Sequence, residues 1–289
     1  MEKLNFFFSS WEFWGNAVMA SILLGIVCGF IGIYVILHRI VFVSAAMSQV
    51  SSLGVMTAFL LVNIDILHPL HHSEDILPLV LATLLTGSFA LVMARHTQAK
   101  ISDRSKSIES LIGAVYLAAT AGLLLIGDRV AQGAHDVANV LFGNAVAVDT
   151  QHLLVLAMIC LPILLVHIWL RKDILFISYD PSMAKTLKYP VGILRFFLLI
   201  SLGVIISIGT RTIGALPVFS FSVIPPMAAL LILENSNSSF AMAALLGGAS
   251  AFLGYLASFL FSFPTGACMT AITVGFLVIA KGINIFKRK

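Results

Sequence analysis

The chain has 289 residues, of which 60% are hydrophobic and only 10% are charged. A soluble globular domain carries about 25% charged residues, so this composition excludes a water-soluble fold and predicts a protein surrounded by lipid. The formal net charge of +4 does not indicate a nucleic-acid partner, because the basic residues lie in short loops between apolar runs, where they orient a membrane protein.

Nine apolar runs follow one another along the chain, and each is long enough to cross a hydrocarbon core of about 30 Å. The sequence therefore predicts an all-α polytopic membrane protein with about nine transmembrane helices, forming a single transmembrane permease domain over residues 1–289. The opening residues 1–13 are rich in Phe and Trp and predict an interfacial segment. The nine runs are 14–37, 41–63, 76–94, 108–126, 152–170, 192–210, 214–233, 239–260 and 264–280.

The seventh run contains three prolines, Pro217, Pro225 and Pro226, which have no backbone N–H to donate. We expect these prolines to break or kink the helix. Irregular backbone at membrane depth is tolerated only where protein or a water-filled cavity covers it. This run is therefore a candidate wall of a translocation pathway.

The basic residues outside the spans predict the orientation of the chain. With the amino terminus outside, all of them except Lys3, Arg129 and Arg211 fall in the inner loops and the carboxyl-terminal tail. Short cytoplasmic loops carry such an excess of Lys and Arg. The carboxyl terminus is thus predicted to be cytoplasmic.

No enzyme motif occurs in the chain, which has neither a phosphate-binding glycine loop nor a nucleophile elbow nor a helical zinc-binding pair. We predict no catalytic residue, no covalently bound cofactor and no ATP site of its own. Carriers driven by ion gradients keep ionisable residues inside their spans, and these spans hold almost none. The remaining alternatives are a passive channel and a permease driven by a separate ATPase.

The loop at residues 171–190, between the fifth and sixth spans, favours the ATPase-driven permease. Asp180 and Pro181 have the residue types of a helix N-cap and first helical position, so they predict a short cytoplasmic helix. Such a helix is suited to dock into a groove of another protein. The alternative is an ordinary surface helix beside the bilayer.

Six short stretches occur in a characteristic order and spacing: Gly32–Arg39, Leu141–Asn144, Tyr179–Ala184, Gly214–Pro217, Ile224–Ala228 and Pro264–Gly266. Together they resemble the ABC-3 class of ABC-transporter permeases, which import zinc, manganese or iron. The resemblance covers nearly the whole chain, and the order and spacing of the stretches are more specific than any one of them.

This resemblance implies a bacterial-type cytoplasmic membrane, a second permease copy or paralogue, and an extracytoplasmic receptor that delivers a divalent metal. It also implies cytoplasmic ATPase subunits, which bind ATP and dock on the segment from Tyr179 to Leu187. The residues it assigns to ATPase coupling are Tyr179, Asp180, Pro181, Ala184, Lys185 and Leu187.

The second span departs from the family pattern. Where the family has an Asp and a His one helical turn apart, this chain has Ala45 and Gln49. The polar residues that remain are neutral: Ser44, Ser48, Ser51 and Ser52 beside Gln49. They either line the translocation pathway with the Pro225–Pro226 pair, as weak oxygen ligands, or let helices pack closely, as small residues do in membranes.

Histidine is concentrated in the predicted outer loop between the second and third spans. Imidazole and carboxylate groups are typical ligands of zinc and related metals. The candidate ligands are His68, His71, His72, Glu74 and Asp75. A solvated polar turn that binds no metal is the alternative.

Three functions follow from these observations. The first is an ABC permease that moves a divalent metal ion (zinc, manganese or iron) into the cytoplasm. The second is a permease of the same fold for a non-metal or chelated cargo, because Ala45 and Gln49 replace the usual ligands. The third is an assembly or regulatory membrane subunit that transports nothing.

Overall fold

The computed structural model describes residues 2–63, 76–97, 105–130, 133–143, 148–233 and 235–287, which form helices joined by short connections. In chain order the helices are α1 (Glu2–Ser9), α2 (Trp11–Leu37), α3 (Val41–Asn63), α4 (Ile76–Thr97), α5 (Ser105–Gly127), α6 (Gly133–Phe142), α7 (Thr150–Trp169), α8 (Arg171–Tyr179), α9 (Pro181–Thr186), α10 (Val191–Ile213), α11 (Ala215–Ile232), α12 (Ser236–Phe261) and α13 (Thr265–Lys287).

Nine of the described helices are long and apolar enough to cross a membrane: α2, α3, α4, α5, α7, α10, α11, α12 and α13. They coincide one for one with the nine apolar runs. The prediction of an all-α polytopic membrane protein is therefore confirmed. The length of each apolar run, which must match the bilayer, is what made the prediction possible.

The chain forms two compact units. The first contains residues 1–39, 142–168 and 212–289, and the second contains residues 40–141 and 169–211. In the first unit, α2 packs against α11 and α12. A Cβ atom on Gly25 would overlap the carbonyl oxygen of Gly247, and one on Gly247 would overlap that of Gly25. The α2 and α12 backbones therefore touch directly along this glycine seam, as they do where small residues bring membrane helices together.

Three glycines meet at another point of the first unit. Gly143, with φ of 78°, lies against the carbonyl of Ile213, and Gly214, with φ of 93°, lies against the backbone of Gly143. Gly266 packs on the carbonyl of Phe142. Both positive φ angles and the absence of space for a side chain require glycine here. Three of the stretches that resemble the family, far apart in sequence, are thus in contact.

In the second unit, α3 packs against α4 and α5. A Cβ atom on Gly54 of α3 would lie 2.6 Å from the Cα of Ala82 on α4. Val55 and Met56 are buried next to Ala82 and Leu123 in a hydrophobic core. α10 joins α4 through a 2.9 Å hydrogen bond between the hydroxyls of Thr83 and Ser207.

The expected break at the prolines is wrong, because α11 is one helix from Ala215 to Ile232. The alternative, a kink, stays a prediction. Pro217 lies in its first turn, where a backbone N–H has no partner within the helix in any case. Pro226 leaves the carbonyl of Ser222 without its usual donor. Gly32 of α2 packs directly on that carbonyl, where a Cβ atom would collide with it. Burial of α11 by neighbouring helices therefore holds it together across the prolines.

Candidate functional site

The predicted coupling segment, residues 171–190, consists of α8 and α9 with a sharp corner at Asp180. One oxygen of the Asp180 carboxylate accepts hydrogen bonds from the backbone N–H groups of Ser182, at 3.1 Å, and Met183, at 2.9 Å. Pro181 occupies the first helical position. The helix start predicted from this sequence is therefore confirmed, and Asp180 satisfies two donors that a helix end leaves open.

The carboxyl-terminal end of α9 is capped as well. Lys188 has a left-handed backbone with φ of 60°, and the N–H of Tyr189 donates to the carbonyl of Ala184 at 2.9 Å. This is the arrangement of a Schellman motif, in which a left-handed residue ends the helix. The Tyr189 ring also packs edge-on against Phe176 of α8, with centroids 5.2 Å apart. The short helix is thus capped at both ends and held to α8.

The coupling segment exposes three large apolar side chains, which we call the apolar stripe. Tyr179 is the last residue of α8, Met183 lies on α9 and Leu187 is its C-cap, and each is more than half exposed. Ala184 is fully buried and faces the other way. Lys185 and Lys188 are exposed beside this apolar stripe. The segment therefore exposes three large apolar side chains next to two lysines.

The second candidate site is a polar arc on α3, formed by Ser44, Ala45, Ser48, Gln49, Ser51 and Ser52. All residues from 43 to 52 except Gln49 are buried, and Gln49 is partly buried. Leu53 and Gly54 of the same helix contact α5 and α4. Val55 and Met56, one turn further along the helix from Ser51 and Ser52, belong to the core with Ala82 of α4 and Leu123 of α5. The side of α3 that carries the serines therefore also contributes to packing on α4 and α5.

The hydrogen bonds of this arc fall into two kinds. Ser44, Ser48 and Ser52 each donate to a carbonyl of α3 itself, at 2.8 to 2.9 Å. Among the residues that the structure describes, the buried Ser51 hydroxyl and Gln49 side-chain carbonyl find no hydrogen-bond partner. Such unpartnered buried groups are uncommon, and each calls for an explanation such as a bound ligand or water.

The prolines assigned to the pathway, Pro225 and Pro226, are buried in α11 of the first unit, whereas the polar arc belongs to the second. The Ser220 hydroxyl beside them contacts Thr270 of α13 at 3.3 Å. α11 thus packs closely on its neighbours within its own unit, which also brings it against α12 and α13.

The histidine-rich loop, with His68, His71, His72, Glu74 and Asp75, lies outside the described residues. Within the described ranges, no group of three or more His, Cys, Asp or Glu side chains is placed to hold a metal ion. Metal binding by this loop therefore stays a prediction.

One residue of these sites was missed by the reasoning from sequence. Met183 belongs to the apolar stripe, and its large apolar side chain in a polar loop was the signal that could have found it. Arg195 belongs to neither site: it lies four residues inside α10 and is partly buried, so it is an ionisable group within a span.

Comparison with known proteins agrees with this architecture. The model of the ABC 3 transport family matches residues 10–283. A manganese transport system membrane protein of Halalkalibacterium halodurans is 27% identical over 97% of this chain and 91% of its own length. A chelated iron transport system membrane protein of Yersinia pestis is 26% identical over 96% and 88%, respectively.

The fold also matches a solved structure, that of PsaBC from Streptococcus pneumoniae in complex with Fab. The TM-score is 0.79 at 22% identity, and the match covers 96% of this chain and 94% of the other. Since the family model spans nearly the whole sequence, the chain belongs to the ABC 3 transport family and is a multi-pass membrane subunit of a transporter.

Proposed function

We propose that this chain is the permease subunit of an ATP-driven importer that moves a divalent metal ion, zinc, manganese or iron, into the cytoplasm. The observation that carries the proposal is the doubly capped α9 helix with its exposed apolar stripe, in a chain of this family. The names of the manganese and chelated-iron relatives support a metal cargo. ATP hydrolysis belongs to a separate subunit.

The coupling segment is the docking surface for that ATPase. Tyr179, Met183 and Leu187 insert into an apolar groove, and Lys185 and Lys188 require acidic residues at its rim. Because Asp180 and the Schellman motif make α9 rigid, a movement of the groove is transmitted to α8 and α10 rather than absorbed by the helix.

The subunit lies in a bacterial-type cytoplasmic membrane, and the whole chain acts as one permease domain. Its amino terminus is outside and its carboxyl terminus is cytoplasmic, which places the coupling segment on the ATPase side. Residues 1–13 lie in the outer interface. The supporting contacts are those of Phe7, which is fully buried against Trp14 and Phe259, while Phe6 and Phe8 are more than half exposed.

The working complex contains two ATPase subunits, a second permease copy or paralogue, and an extracytoplasmic metal-binding receptor. A chelated metal or a non-metal is the second candidate cargo. It is favoured by Ala45 and Gln49, which leave the polar arc of α3 without carboxylate or imidazole ligands.

Met183→Glu tests the docking role. A charge in the centre of an apolar contact is expected to weaken binding of the partner ATPase about tenfold or more. Ser182→Glu adds the same charge one residue away, off the stripe, and is expected to bind normally. The readout is the amount of ATPase that copurifies with the permease, followed by ATP-dependent uptake of manganese, zinc or iron into proteoliposomes. Equal binding by both variants, or no uptake of any of these metals, would contradict the proposal.

A further inference from the structure

The carboxyl-terminal ends of α2 and α7 are joined by Tyr34 and His167, both of which are fully buried. The Tyr34 hydroxyl donates to the backbone carbonyl of His167 at 3.2 Å, and the centroids of the two rings lie 5.9 Å apart. Nδ1 of His167 lies 2.8 Å from the carbonyl oxygen of Ile163. Because a carbonyl only accepts, that nitrogen carries a proton, and its hydrogen bond fixes the orientation of the ring. The contact between α2 and α7 is therefore specific in direction as well as apolar.

The same end of α2 is packed closely on two further helices. A Cβ atom on Gly32 would overlap the carbonyl oxygen of Ser222 on α11. Phe240 of α12 lies against the Tyr34 ring, with centroids 5.0 Å apart. All of these residues belong to the first compact unit. Since so closely packed an interior does not deform continuously, a displacement of this end of α2 also displaces α11 and α12.

By contrast, α7 has little buried surface of its own. Of its 20 residues, all of which the structure describes, three are buried: Leu156, Cys160 and His167. One residue, Leu170, separates the end of α7 from the start of α8, the first helix of the coupling segment. A displacement of α8 therefore reaches the end of α7 within a few residues of His167, where the contact with Tyr34 decides whether α2 follows.

We propose that Tyr34 and His167 are positioning residues for transport. Their contact makes the end of α7 move together with α2, α11 and α12 when the ATPase moves the coupling segment. Without it, α7 shifts alone, and ATP is hydrolysed without displacing the other three helices. This inference rests on the proposed function and names the residues that transmit the movement beyond the coupling segment.

Tyr34→Phe tests the hydrogen bond with the smallest change, because it removes the hydroxyl and keeps the ring between His167 and Phe240. One such bond typically changes an equilibrium by about fivefold. In the complete transporter, the amount of metal moved per ATP hydrolysed is therefore expected to fall about fivefold, while the ATPase copurifies in the normal amount. The metal is whichever of manganese, zinc and iron the wild type imports fastest. Tyr116→Phe, on α5 and more than a third exposed, is the matched control and is expected to keep the wild-type ratio.

Variants of His167 test whether the two residues act as one contact. His167→Ala removes the ring and is expected to lower the ratio of metal moved to ATP hydrolysed, whereas His167→Phe restores a ring against Tyr34 and is expected to recover most of that loss. Because both residues act through one contact, Tyr34→Phe combined with His167→Ala is expected to be no worse than the more severe single variant.

Three results would overturn the inference while leaving metal import intact. These are a wild-type ratio in Tyr34→Phe, a double variant whose loss is the product of the two single losses, and a loss of bound ATPase in Tyr34→Phe, since the hydroxyl would then serve assembly. Absence of ATP-dependent uptake of manganese, zinc and iron by the wild-type transporter would overturn the proposed function and this inference with it.

Discussion

The glycine seam of α2 and α12 and the polar arc of α3 are both made of small residues, yet they use them in opposite ways. At the seam, Gly25 and Gly247 leave no room for even one added carbon. On the arc, the buried oxygen atoms of Ser51 and Gln49 have no hydrogen-bond partner within the described part of the chain. The small residues of the seam bring two helix backbones into direct contact, whereas the arc contains buried polar atoms that make no hydrogen bond.

Small residues in a membrane protein have two roles that spacing does not distinguish. Glycine and serine both favour close helix packing, so sequence spacing alone does not separate a packing face from a pathway. Hydrogen bonding does separate the two, because the buried polar atoms of a packing face have hydrogen-bond partners. We therefore expect substitutions at the seam to change stability and those on the arc to change transport.

The largest effect is expected for Gly247→Ala. The added Cβ overlaps the carbonyl oxygen of Gly25, and backbone cannot rotate away as a side chain can. We expect a loss of about 3 kcal/mol in the free energy of unfolding, measured by denaturant titration in mixed micelles. Gly275→Ala is the control, because no neighbouring atom of the described residues lies within 4 Å of a Cβ at that position. Similar stabilities for the two variants would show that the seam is not tightly closed.

Gly54→Ala tests the packed face of α3 itself. Its Cβ would lie 2.6 Å from the Cα of Ala82, so α3 and α4 must separate slightly. A loss of about 2 kcal/mol is expected. Gly87→Ala, on α4 with open space around it, is expected to be neutral or stabilising, because alanine favours helix. Thermal unfolding of the purified protein in detergent measures both; an unstable Gly87→Ala protein would refute the comparison.

Asp180→Ala extends the comparison to the coupling segment, where the Asp180 carboxylate accepts two backbone hydrogen bonds. It leaves the N–H groups of Ser182 and Met183 without their acceptor, at a local cost of about 1 kcal/mol. A frayed α9 is expected to lower the amount of metal moved per ATP hydrolysed while the nine spans stay folded. Asp180→Asn keeps the capping acceptor and is expected to retain coupling. An unchanged amount of metal moved per ATP hydrolysed in Asp180→Ala would show that capping of α9 does not contribute to coupling.

The sequence predicted the spans and the start of α9 because both depend on local chemistry. An apolar run must match the bilayer wherever it is, and Asp180 caps the residues that follow it. Continuity through Pro225 and Pro226 was not predictable, since it depends on helices that cover α11 from elsewhere in the chain. The missing hydrogen-bond partner of the Ser51 hydroxyl could not be predicted either, because it depends on which residues surround Ser51 in three dimensions.

The smallest change in stability is expected for Ser51→Ala. This variant also tests directly whether the arc differs from the seam. Removing a buried hydroxyl that has no partner relieves its desolvation, so the protein should become slightly more stable, by up to about 1 kcal/mol. Ser48→Ala instead removes a hydroxyl bonded to the carbonyl of Ala45 and should gain nothing. A stabilised Ser51→Ala protein that transports more slowly would mean that the chain keeps this oxygen at the expense of stability. A destabilised one would mean that Ser51 packs, like the seam, and that the two regions do not differ.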